Sequence, residues 1–204
     1  MRVALPLVAA IASTAVAAPV TVPLSVTNIG QAAPIAPRQN GACFIIGSNT
    51  LPKETSDIAT RLASSVTCSR SATTIAGVPD VTLGSTTYSD IDFSKSSQSP
   101  LAFALSQFAT ATPLASTNLQ DFEDMLDVYL ATEAGIRSVG GSLAIKVPKF
   151  FLEMQVSRIQ TAQGNPPTAA GLQVNHLRDK VLKNAGRESQ ALLDQVTRLA
   201  TQLS

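Results

Sequence analysis

From Leu101 onward, apolar side chains recur at three- and four-residue spacing, and Pro or Gly residues cut the pattern into helix-length pieces. That periodicity constrains the fold more than any other feature of the chain. Leu101, Leu105 and Phe108 form a short stripe, with Pro100 in the first turn, Ser99 as N-cap and Pro113 as the stop. Thr117 and Gln120 fit a capping box, Thr117 at N-cap and Gln120 at N3. They open a helix whose apolar stripe is Leu119, Phe122, Leu126, Tyr129 and Leu130. Gly140-Gly141 closes it. Residues 142–163 carry Leu143, Val147, Phe151 and Met154 on one face and Leu152, Val156 and Ile159 on another, the pattern of a central helix. Pro148 either kinks this helix or starts it. Asn165-Pro166-Pro167 breaks the chain, and a last helical region over about 168–203 divides at Asn184-Ala185-Gly186.

Upstream, Leu51-Pro52-Lys53-Glu54 opens a helix with Thr50 as N-cap and Ile58, Leu62 and Val66 as its stripe, ending near Cys68. Residues 69–99 are crowded with Ser and Thr and broken by Gly77, Pro79 and Gly84. Thr73 to Ile75, Val81 to Leu83 and Ile91 to Phe93 are extended pieces too short to demand a sheet. Tyr88, Ile91 and Phe93 make this segment an ordered cover over the helices. The predicted fold is therefore all-α: a compact antiparallel helical bundle with a Ser/Thr-rich irregular segment and one disulfide.

The N-terminus reads as an export signal. Arg2 precedes a short apolar run, and Ala15-Val16-Ala17 supplies small residues at a cleavage spacing. Residues 1–17 are assigned to a signal peptide. Residues 18–38, with Pro19, Pro23, Pro34 and Pro37, are an extended leader or pro-segment, with Arg38 a cleavage point or part of a leader that stays attached. Residues 39–204 are a single helical domain. In an exported chain an even cysteine count favours a bond, so Cys43 and Cys68 are expected to pair and to tie residues 41–48 to the end of the first helix. No stretch reaches the roughly 18 apolar residues of a membrane-spanning helix.

Charge narrows function by exclusion. The 15 basic and 14 acidic side chains give a net charge of +1, which argues against nucleic acid as a partner. One His and two Cys leave no zinc cluster, and no cofactor fingerprint occurs, so no metal or cofactor is expected. Gly140-Gly141-Ser142-Leu143-Ala144 approaches a nucleophile elbow, but that motif needs a preceding strand where the pattern here is helical; Ser142 reads instead as a helix cap. His176 has no partner legible in sequence, and Glu153 is the only acid between it and Ser142.

Two charged faces stand out. Asp121, Glu123, Asp124 and Asp127 form an acidic face, a solvated or ion-paired surface or else a carboxylate pair. Lys146, Lys149, Arg178, Lys180, Lys183 and Arg187 form a basic face. The basic helices are expected to lie against the acidic one, the alternative being a polyanion-binding surface.

The stretch TTIAGVPDVTLGSTTYSDIDFSKSSQSPLAFALSQFATATP and the later ATEAGIRSVGGSLAIKVPKFFLEMQVSRIQTAQG resemble a family of small secreted proteins from filamentous fungi. The resemblance spans most of residues 43–203. It implies secretion by a fungus, to the wall or a host surface, and carries no catalytic motif. The expected function is thus a secreted, non-enzymatic binding or surface-associated protein, extracellular or in the cell wall. Its partner would be a cell-wall or host-surface component, or a small apolar ligand held as by a carrier. The alternative is a secreted hydrolase using helix-borne carboxylates such as Asp121 and Asp124.

Overall fold

The computed structural model describes residues 41–204. The signal peptide over 1–17 and the leader over 18–38 lie outside the described residues. Among the described residues there are six α-helices: α1 (Lys53–Leu62), α2 (Pro100–Gln107), α3 (Leu119–Ser138), α4 (Lys146–Ala162), α5 (Val174–Asn184) and α6 (Gln190–Thr201). Between α1 and α2 lie three strands, β1 (Thr67–Thr73), β2 (Pro79–Leu83) and β3 (Thr86–Thr87), which pair antiparallel in the order β1-β2-β3. The all-α expectation is therefore wrong: the domain is a set of helices with a small antiparallel sheet.

The sheet occupies the segment read as irregular cover, and its side chains explain why it was missed. β1 is TCSRSAT and leaves most of its side chains exposed, so it has no apolar alternation. Thr67 pairs with Thr82 and Cys68 with Val81, and an irregularity follows before Thr73 meets Pro79. β2 reaches the core most deeply, through Val81, with Val78 just ahead of it; from β1 only the half-buried Cys68 packs there. Backbone pairing, the cross-link at Cys68 and a few buried side chains hold this sheet, and none of them writes a period of two into the sequence. Ile91 to Phe93, read as extended, instead spans two 3₁₀ turns.

Cys43 and Cys68 do form a disulfide, with 6.0 Å between their Cα atoms. Because α1 ends at Leu62, Cys68 belongs to β1, and the bond ties the entering segment to the sheet rather than to a helix end. A disulfide agrees with an oxidising compartment.

Local capping departs from expectation in three places. α1 is preceded by Pro52, not capped by Thr50. α3 is capped by Asn118, whose side-chain oxygen accepts from the Gln120 amide at 3.1 Å, while the Thr117 hydroxyl accepts from the Ala111 amide at 3.0 Å. Ser142 caps nothing: α4 starts after Ile145, and Pro148 sits in its first turn, where a missing N–H costs no helix bond. Ser99 caps α2 as expected, and Gly140 and Gly141 close α3 by donating to Arg137 and Ile136.

One hydrophobic core joins all these elements, with α3 and α4 at its centre. Tyr129 of α3 meets Tyr88 and Phe108 edge-on, at ring-centre distances of 5.1 and 5.7 Å, and its hydroxyl donates to the Ile91 carbonyl at 2.6 Å. The entering segment docks on the end of α3: the Ser138 hydroxyl accepts from the amides of Ile46 and Gly47. Gly135 permits that approach. A Cβ there would stand 2.6 Å from the Phe44 carbonyl oxygen and 2.7 Å from a Val78 methyl. Since a backbone atom cannot rotate away, Gly135→Ala is expected to cost about 1–3 kcal/mol in urea unfolding. Gly171→Ala, which meets nothing within 4 Å, should stay within about 0.5 kcal/mol of wild type. Equal behaviour of the two variants would contradict the packing described.

Among the described residues no helix is long and apolar enough to cross a membrane.

Candidate binding cleft

Where the central helices meet the outer ones, charged side chains are taken into the core's edge. Glu133 and Arg137 lie one turn apart on α3, and Arg137 donates from Nε and Nη2 to Glu133 Oε1 at 2.9 and 2.7 Å. Across the helix interface, in the first turn of α4, Lys149 brings Nζ to 3.4 Å from Glu133 Oε2 and 3.7 Å from Glu153 Oε1. Glu133 is 5% exposed and Lys149 7%. One ammonium thus bridges two carboxylates in a place nearly closed to water, where charge is tolerated only because it is paired. Lys149 also stands 3.6 Å from the centre of the Phe150 ring, with Lys180 of α5 at 5.9 Å.

Burial pushes the Glu153 carboxyl above its ordinary 4.5. Lys149 opposes the shift, the charge of Glu133 adds to it, and Lys180 weakly opposes it.

This network forms a wall of a cleft of about 430 Å³, with Glu54, Lys146, His176 and Lys180 at its other sides. Arg137, Lys146, Lys149 and Lys180 face Glu54, Glu133 and Glu153, so both signs of charge are on offer and nearly cancel. The cleft runs into an apolar groove of about 280 Å³ lined by Leu126, Leu130 and Val156. The two share Ile58, Glu153, Leu172 and Leu177 as walls, which makes them one depression with a charged end and an apolar end. Leu172, 52% exposed, stands at their junction. At the apolar end the Ser157 hydroxyl is buried without a hydrogen-bond partner.

Of the acidic face only Asp127 is a wall of the depression, at its apolar end; none of the four acids lines the charged cleft. Asp127 receives two hydrogen bonds from Arg61 of α1, at 3.0 and 2.8 Å, and that bond lifts the Arg61 pKa above its ordinary value. Asp124 accepts from Gln120 at 2.8 Å, Glu123 from Gln160 at 3.4 Å, and Asp121 is exposed. The acidic helix α3 does pack against the basic α4, but not through an ion pair of these acids: the partner of Asp127 is on α1, and Lys149 pairs with Glu133 and Glu153.

The basic face is divided. Lys146, Lys149 and Lys180 line the cleft; Arg178 pairs with Asp179 at 2.8 Å; Lys183 and Arg187 line a separate hollow beside Ser99 and Glu188. Ser142 is exposed before α4 and is not a cleft wall, so it does not stand with His176 and an acid. Glu133 and Arg137, absent from both faces, are the residues sequence reasoning missed. Their signal was present as opposite charges four apart in the otherwise uncharged second half of the helix, 128–138. No group of three or more His, Cys, Asp or Glu among the described residues could hold a metal ion.

These features define a small disulfide-bonded helix-and-sheet domain with an amphipathic depression. The chain belongs to the family described as a domain of unknown function, DUF7143, whose model matches residues 45–204. No curated protein and no solved structure gives a significant match to it.

Proposed function

We propose that this is a secreted, non-enzymatic binding protein whose cleft takes a small amphipathic ligand at a fungal wall or host surface. The reading joins the binding role and the apolar-ligand role expected from sequence. The observation that carries it is the continuity of the charged cleft with the apolar groove through Ile58, Glu153, Leu172 and Leu177. A zwitterionic head suits walls whose charges nearly cancel, and a short chain suits Leu126, Leu130 and Val156. The carboxylates favour binding over hydrolysis because Glu133 and Glu153 are already committed to Arg137 and Lys149. The disulfide supports an extracellular setting.

Native mass spectrometry tests the reading, with octylphosphocholine below its micelle concentration and, in parallel, soluble glucan and chitin oligosaccharides. One saturable adduct of the amphiphile, recovered unaltered, is expected. Adducts of the oligosaccharides alone would replace this reading with wall-polysaccharide binding. Breakdown of a probe that Glu153→Gln abolishes would replace it with the hydrolase.

A further inference from the structure

A second cavity, sharing no wall with the cleft, is lined by an arginine with no anion within ion-pair distance among the described residues. Arg158 of α4 is 2% exposed, and among the described residues no ion pair reaches it. Residues 1–40 contain no Asp or Glu that could supply one, and Ser204 at the end of the sequence, a wall of the same cavity, makes no ion pair with it. The guanidinium has five N–H donors. One on Nη1 goes to the Gln155 side-chain oxygen and one on Nη2 to the Gln202 carbonyl, while Nε–H is buried with no partner at all. A buried cation with neutral acceptors only is costly, because the desolvation of the charge is not repaid by an opposite one. Burial accordingly lowers the Arg158 pKa from its ordinary value.

Arg158 is also a wall of a cavity of about 600 Å³ between the α2–α3 connection, α4 and α6. Leu105, Leu114 and Leu199 give that cavity an apolar side, and Thr112 and Gln195 give it polar groups. Its size falls in the range of small-molecule sites.

We propose that Arg158 anchors a binding site for a carboxylate that carries a short apolar chain. The carboxylate supplies the missing charge and takes donors the protein leaves unused, and the chain lies against Leu105, Leu114 and Leu199. A planar guanidinium fork matches a carboxylate geometrically. The site is independent of the amphipathic cleft, and either can fail without the other.

The test is an NMR titration of the 15N-labelled protein with hexanoate, its neutral isostere hexanamide, and inorganic phosphate, read at the Arg158 Nε–H resonance. Hexanoate is expected to give a saturable shift there and on Leu199, and hexanamide at least about tenfold weaker binding, since a charged hydrogen bond is lost. Arg158→Met should abolish the response. Because that variant could fail to fold, Gln195→Glu provides the second reading: it places a negative charge on the cavity wall and should weaken hexanoate several-fold. Equal binding of hexanamide, binding of phosphate in preference to hexanoate, an unsaturable shift, or hexanoate binding unaffected by Gln195→Glu would each overturn the proposal.

Discussion

Replacing Lys149 by Met is expected to destabilise the domain by about 3–5 kcal/mol at neutral pH, the usual consequence of removing one partner from a buried ion pair. Met keeps much of the side chain's volume, so the loss reports charge rather than packing. Glu133 retains Arg137 at 2.7 Å, but Glu153 loses the one cation within ion-pair distance. The effect should therefore depend on pH, with a definite sign. Burial already holds the Glu153 carboxyl above its ordinary 4.5, and removing the opposing ammonium raises it further. A carboxyl whose folded pKa is raised binds its proton more readily in the folded state. Its contribution to stability is thus full below the unfolded value and is lost as pH rises through the folded value. Urea unfolding at pH 4 and pH 7 should give a markedly smaller Lys149→Met deficit at pH 4. Adding Glu153→Gln to Lys149→Met should recover part of the loss at pH 7. The same deficit at both pH values would show that Lys149 does not neutralise a buried carboxylate.

Removing the disulfide should have a comparable effect through a different term. Cys43 and Cys68 close a loop of 25 positions, which in the chain-entropy account is worth about 3.5 kcal/mol. For a domain of this size the double variant Cys43→Ala/Cys68→Ala should melt about 6–12 °C lower. Phe44 and Ile45, fully buried beside the first cysteine, are fixed partly by that bond, as is the sheet that begins at Cys68. Amide exchange should accordingly quicken first over β1 and β2. A melting temperature within about 2 °C of wild type, with and without dithiothreitol, would mean that the Ser138 and Gly135 contacts alone secure the entering segment.

The helices from Pro100 onward were legible because each buries a continuous apolar stripe and because Pro and Gly mark its ends. The Asn184-Ala185-Gly186 break and the two-sided burial of α4 follow directly from such signals. The sheet was not legible. β1 lies mostly exposed, so its side chains are free to be Ser, Thr and Arg, and what holds it is backbone pairing plus a cross-link. The candidate cleft was half legible. Lys146, Lys149 and Lys180 stood out as basic residues, but the acidic partners were sought where acids are dense in sequence, over 121–127. Local density marks a solvated or ion-paired face, whereas Glu133 and Glu153 are sparse because each sits among apolar neighbours. Their meeting at Lys149 depends on how α3 crosses α4, which no local spacing encodes.

The most direct test of the cleft is to locate octylphosphocholine by NMR on the labelled protein. Saturable shifts confined to Leu126, Leu130, Leu172, His176 and Lys180, abolished by Leu130→Glu, are the predicted result. Shifts scattered over the surface, or centred on Asp121, Glu123 and Asp124, would contradict it.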